Sequence, residues 1–342
     1  MAGDDRFDAR CRRWTGRWAR RISATNTRRL IGLTVTGIVS VVAFVVLIRD
    51  GRRLLTYSFR LDPLLVSLSF VVECTGLPLA VVIWRGVLGR FGSHLRYRDD
   101  FRIYCYSMLG IVVPGGFWPM VSRAALYERH GVASLRVAAA SVVESVLIGL
   151  AGLMVYGLSS TLAPSENVWQ HPVVALAAGA LALVLIQPPV FNRMIDWLRR
   201  RVHLDDQQPI SLRYVDLGRW LTIQGVIIVI GGGAVYLLLC GFTAVPSRLF
   251  LRVVSAWAIA AAAGNLFFWM PGTNVIRDGA MTLILMQALP ASAAILFVLL
   301  VRVWTIASVL VVAALAWLFL ERKNPLCRGV SYLLRKFHNQ AP

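Results

Sequence analysis

Two stretches of this chain combine a broken helix with charge inside sequence that is otherwise lipid-soluble. The later one, Gly264 to Met281, is apolar up to Pro271-Gly272 and polar through Thr273 and Asn274. It then presents Arg277 and Asp278 before apolar sequence resumes. The earlier one reads Val113-Pro114-Gly115-Gly116-Phe117-Trp118-Pro119 and is followed by Arg123. Proline and glycine release backbone groups from the helical ladder, and inside a bilayer freed groups are tolerated only where protein covers them or a cavity solvates them. Helix N-termini and guanidinium groups both favour phosphate, so the chemistry on offer is the holding of an anion. Trp118 and Trp269 flank the breaks, as interfacial anchors or as walls of a lipid groove.

Three more charges, Glu73, Glu144 and Arg302, interrupt apolar runs. Each intramembrane charge costs about 2.5–3.5 kcal/mol on insertion scales, which makes this set too large to be incidental. Glu144 follows Pro114 by 30 residues and Arg302 follows Pro271 by 31, so the two are expected either to pair across the halves or to serve a substrate. For Glu73 the readings are a carboxylate satisfied by neighbouring backbone and a proton-coupling group. For Arg277 and Asp278 the alternative to a substrate role is an interfacial position that satisfies a helix start.

The elements that must position these residues are membrane helices. Of 342 residues 57% are hydrophobic and 15% charged, and the mean hydropathy is +0.65, values of an integral membrane protein. A net charge of +19 would point to nucleic acid in a soluble chain. Here the basic residues lie between apolar runs, as the positive-inside rule expects, and no nucleic-acid-binding module is present. All but Lys323 and Lys336 of the 36 Lys and Arg are arginine, the bias of a GC-rich bacterial genome. The five cysteines are scattered singly, so neither a disulfide framework nor a zinc site is expected, and no cofactor is expected either.

The expected fold is all-α: about six spanning helices plus two re-entrant broken-helix hairpins, arranged as inverted repeats. Residues 1–29 form a basic N-terminal segment, either an amphipathic helix on anionic headgroups or a solvated tail. Residues 30–48 read as the first span rather than a cleaved leader. Spans follow at 63–84, 137–158, 172–190 and 217–240, and a last one lies within 280–320. The connection 159–171 holds no Lys or Arg and should be outside, while the arginine-rich segments 85–102 and 191–216 should be inside with both termini. That arithmetic makes 101–136 a hairpin entering from the cytoplasm and 249–289 one entering from outside. The second is the less secure, because residues 249–270 are long enough to span. Against the scheme, Arg49, Arg52, Arg53 and Arg60 would face outward. Repeat one covers about 63–158 and repeat two about 217–320, within a transmembrane region 30–320 followed by a basic tail, 321–342. Inverted repeats with broken helices meeting near the midplane are a recurrent transporter plan.

These residues resemble the transmembrane region of the lysylphosphatidylglycerol synthase family and its stand-alone, flippase-like relatives. The family's late motif reads approximately Pro-Gly-Gly-x-Gly-x-x-Glu, often with Arg before the Glu. Pro271, Gly272 and Arg277 match it and Asp278 takes the Glu position, while Thr273 and Val275 replace two glycines. The earlier motif is matched by Pro114, Gly115, Arg123 and Glu144, and Arg302 matches a basic residue of the last long helix. The resemblance covers about residues 60–320 and implies a domain concerned with lipid translocation. The synthases carry a soluble aminoacyl-transferring domain after this region, and none is expected in residues 321–342.

The expected function is therefore a membrane translocator of an anionic or polyprenyl-linked lipid headgroup, in a bacterial plasma membrane. The substrate contacts would come from Pro114, Gly115, Gly116, Arg123, Pro271, Gly272, Asn274, Arg277 and Asp278. The alternative is a non-catalytic membrane subunit that scaffolds a lipid- or envelope-modifying partner enzyme. Walker, His-Glu-x-x-His and Gly-x-Ser-x-Gly motifs are absent. A membrane-embedded transferase using Glu73, Glu144 and Asp278 is the remaining enzymatic reading. Asp205-Asp206 reads as a solvated acidic pair, and Gly231-Gly232-Gly233 as a packing surface.

Overall fold

A computed structural model describes residues 62–93, 95–112, 116–163, 172–201, 212–243, 245–270 and 272–320. The expected first span, both termini, Asp205-Asp206, Pro114, Gly115 and Pro271 lie outside the described residues. Those described are almost entirely helical, with no strands among them. Five helices are long and apolar enough to cross a membrane, or six if one bent pair counts as a span, so this is a membrane protein.

The first long helix, α1 (Pro63–Arg90), begins where Asp62 Oδ1 accepts from the backbone N–H of Leu64 at 2.9 Å, with Pro63 in the first turn. That carboxylate satisfies a donor the helix leaves open, and proline there gives up no hydrogen bond. Next come α2 (Tyr97–Met108), which tightens into a 3-10 turn at Leu109–Val112, and α3 (Trp118–Glu128). Asp99 and Asp100 in the first turn of α2 complement its dipole. A second long helix, α4 (Ser134–Leu162), completes the block.

The expected span over residues 172–190 is interrupted. It divides into α5 (Pro172–Leu185) and α6 (Pro188–Arg201), bent by 62° from each other. Pro188 and Pro189 cannot donate to the preceding turn, which stops α5. Much of the expected linker 191–216 is thus helix: α6 buries Phe191 and Ile195 and exposes Arg193, Trp197 and Arg200.

The last block repeats the element order of the first. It runs through long α7 (Tyr214–Phe242), short α8 (Phe250–Leu266) and α9 (Thr273–Leu285) around a break, and long α10 (Ala291–Leu320). Helices α1 and α7 lie antiparallel. The N–H of Asp62 reaches the carbonyl of Gly241 at 2.8 Å at one end, and Arg90 pairs with Asp216 at 2.8 Å at the other. Small residues set the closest crossings. Gly152 of α4 faces the backbone of Ala258 and Ala262 on α8, and Gly232 faces Val254. Gly231 lies under the Trp257 indole, so this run does serve packing. Such small-residue contacts let membrane helices approach where lipid gives no hydrophobic drive.

The start of α8 and the end of α9 return to one end of the bundle. Arg248, Leu249 and Arg252 line the same cavity as Gln287, Ala288 and Leu289, beside the ends of α4 and α7.

Candidate functional site

The two breaks meet. A side chain at Gly116 would lie 2.9 Å from the carbonyl oxygen of Phe268 and 2.6 Å from Cγ2 of Thr273, so only the bare backbone of glycine allows the contact. On the other side, Gly272 takes φ 83°, a left-handed conformation that suits glycine, and starts α9. The hydroxyl of Thr273 donates to the carbonyl of Gly264 at 3.3 Å and ties the start of α9 to α8.

Beside this contact, α9 and α10 hold the charges of the second half. Nη1 of Arg302 donates to Oδ2 of Asp278 at 2.6 Å. The pair is partly open, with 42% of the Arg302 side chain and 26% of Asp278 exposed. Arg277 is half-buried. Its guanidinium lies 5.1 Å from the centre of the Trp257 ring, and its aliphatic stem crosses Gly264. No carboxylate among the described residues pairs with it, although the charges of Asp278 and of Glu73 on α1 act on it from nearby. A cavity of about 20 Å³ adjoins Asn274, Arg277, Asp278, Arg302 and Ile111, the last contributed by the first half. That is room for about one water.

The first half carries a different kind of site. Arg123 on α3 and Glu144 on α4 are 3% and 6% exposed. Nη1 of Arg123 donates to Oε2 of Glu144 at 2.5 Å, and Nε donates to the Ser107 hydroxyl at 3.2 Å. The Trp84 and Tyr104 rings each lie 4.2 Å from the guanidinium carbon, and the Tyr104 hydroxyl donates to Oε1 of Glu144 at 3.2 Å. One step further out, the Trp84 indole N–H donates to the Tyr127 hydroxyl at 2.7 Å. That hydroxyl donates to Oδ1 of Asp100 at 2.5 Å, and Asp100 also pairs with Arg85 at 2.9 Å. Burial, and then the Asp100 carboxylate, hold the Tyr127 phenol far above its usual range, so it remains a donor.

The pairing of Glu144 with Arg302 expected from the sequence does not form. Each is paired within its own half instead: Glu144 with Arg123, and Arg302 with Asp278. Similar distances from the two prolines, 30 and 31 residues, do not bring the two charges into contact. Arg123, read as a substrate contact, is held by one carboxylate, one hydroxyl and two rings. Gly116, Gly272, Asn274, Arg277 and Asp278 are brought together at the breaks; Glu73 is half-buried within electrostatic reach of Arg277. The aromatic box of Trp84, Tyr104 and Tyr127 was missed. Its sequence signal was Asp100 and Tyr104, four residues apart on α2, an acid and an aromatic on one face. Compared with family models, curated proteins and solved structures, the chain matches none.

Proposed function

We propose that the protein translocates an anionic lipid or lipid-linked headgroup across a bilayer, by alternating access at the contact between the two breaks. One observation carries the reading. Two interrupted helices from separate halves meet tip to tip inside an apolar bundle, beside a guanidinium that forms no ion pair among the described residues. Arg277 holds the phosphate, and Asn274 and the N–H groups at the start of α9 complete the anion site. Asp278 keeps Arg302 near without consuming Arg277. Acyl or prenyl chains stay in lipid, entering beside the partly open Arg302–Asp278 pair. A cavity of about 20 Å³ admits no headgroup, so this arrangement is the occluded one and the α9–α10 contact opens during the cycle.

The inverted-repeat, re-entrant arrangement is part of the proposal. It is supported by the shared order of long helix, broken hairpin, long helix, and by the charge-swapped pairs, basic-to-acidic in the first unit and acidic-to-basic in the second. It is supported too by the return of α8–α9 to one end of the bundle. The charge-poor connection 159–171 then faces outward and the segments 85–102 and 191–216 face the cytoplasm. Single-cysteine labelling of intact cells is expected to modify position 166 and not position 205. Modification at 205 from outside would overturn the orientation and the inverted topology with it.

Arg277→Ala is expected to slow translocation of a fluorescent phosphatidylglycerol in proteoliposomes by at least about tenfold, with insertion and thermal stability unchanged. Wild-type transport by this variant refutes the site. A loss of folded protein matching the loss of transport assigns Arg277 to structure instead, and Arg277→Lys separates charge from packing on Trp257.

A further inference from the structure

The bundle contains a second polar chamber that the breaks do not explain. It lies where α4 and α7 finish, α8 begins and α9 ends, and its volume is about 870 Å³. Small-molecule sites commonly fall between about 300 and 1,000 Å³. Arg248, in the 3-10 turn Ser247–Leu249, and Arg252, one turn later on α8, both line it. Neither is in an ion pair among the described residues. Arg248 is exposed and Arg252 half-buried; like charges a turn apart repel, and an anion between them offsets that repulsion. Gln287 lines the same chamber. Its side-chain N and O atoms are both shielded from solvent and both lack a hydrogen-bond partner. A buried amide left unsatisfied is costly, and a ligand offering both a donor and an acceptor relieves it once the side chain turns into the chamber.

We infer that this chamber is a binding site for a phosphate-bearing polar headgroup. Arg248 and Arg252 take a doubly charged phosphate or diphosphate, and the Gln287 amide takes a hydroxyl or amide next to it. The chamber is separate from the Arg277 site. Arg277 lies in the second turn of α9 and Gln287 two residues past its end, so about 12 Å of helix, at 1.5 Å per residue, separates Arg277 from the end nearer Gln287. The assignment goes beyond the translocation reading and rests on it only for the side of the membrane, which is the outer one.

The test is binding rather than transport. Inorganic pyrophosphate is titrated against the full chain in phosphatidylcholine nanodiscs by calorimetry, and melting temperature is followed as a check on folding. The wild type is expected to bind with a 1:1 stoichiometry that survives Arg277→Ala. Arg248→Gln and Arg252→Gln each weaken binding at least about tenfold, and together they abolish it without lowering the melting temperature. Gln287→Leu is expected to weaken binding of glycerol phosphate more than binding of pyrophosphate. Including phosphatidylglycerol in the nanodisc decides the source. Competition with pyrophosphate identifies a lipid headgroup as the natural occupant, and no competition identifies a free phosphate compound; either outcome upholds the site. Absence of binding at millimolar pyrophosphate, or wild-type affinity in the double variant, overturns it. Because transport is never read, failure here leaves the Arg277 proposal standing, and failure of that proposal leaves this one standing.

Discussion

Glu144→Gln is expected to lose most of the folded protein. The substitution leaves the Arg123 guanidinium charged, 3% exposed and without the carboxylate it pairs with, while Ser107 and two aromatic rings still hold it in place. Breaking a buried pair from one side typically costs about 3–5 kcal/mol, a large share of the stability of most domains. Arg123→Met should cost a comparable amount for the converse reason, stranding Glu144 with the Tyr104 hydroxyl as its one remaining partner among the described residues. The double variant Arg123→Met with Glu144→Leu removes both charges and refills the space, and such replacements are often neutral. Monodisperse yield and thermal unfolding in detergent should therefore recover well above either single variant. Losses that simply add in the double-mutant cycle would show that the two residues are not coupled. Arg302→Gln added to Glu144→Gln is expected to be additive, because Arg302 is paired elsewhere, with Asp278.

Gly152→Val should separate α4 from α8. A side chain there would sit 2.7 Å from the carbonyl oxygen of Ala258 and 2.9 Å from the amide nitrogen of Ala262, both backbone atoms of a helix that cannot turn aside. Overpacking of this kind costs about 1–3 kcal/mol and can cost more when backbone must move. The same displacement would disturb the hydrogen bond of 2.8 Å between Ser160 and Ser255, which spans the two helices. Gly179→Ala on α5 is the control, since nothing lies within 4 Å of the added carbon. Alanine is the better helix former by roughly 0.8–1 kcal/mol, so that variant should be neutral or slightly stabilising. Equal melting temperatures for Gly152→Val and the wild type would mean that the α4–α8 crossing is looser than the glycine contact implies.

Hydropathy alone determined that this is an all-helical membrane protein. Runs such as 217–240 are too long and too apolar for anything else, and that signal is local, carried by each residue's own transfer free energy. Pro271-Gly272 and the glycines after Pro114 likewise marked the breaks, because proline's missing N–H and glycine's conformational freedom are properties of the residue itself. Helix ends were less legible. Residues 186–201 were divided between span and linker, yet Pro188 starts a helix whose buried Phe191 and Ile195 alternate with Arg193 and Trp197. Partnership between charges could not be read at all. Glu144 and Arg302 have matching distances from their prolines, and symmetry of position looks the same on paper as contact in space. Only the folded bundle decided it, by placing α3 against α4 and α9 against α10, so that each charge met an opposite one within its own unit. The same packing closed the Trp84 and Tyr104 rings over Arg123 and left Arg277 with a ring in place of a carboxylate. A lone charge in apolar sequence announces that something must satisfy it, because burial unpaired is so costly. What satisfies it depends on residues tens of positions away, and that is settled by which helix faces touch.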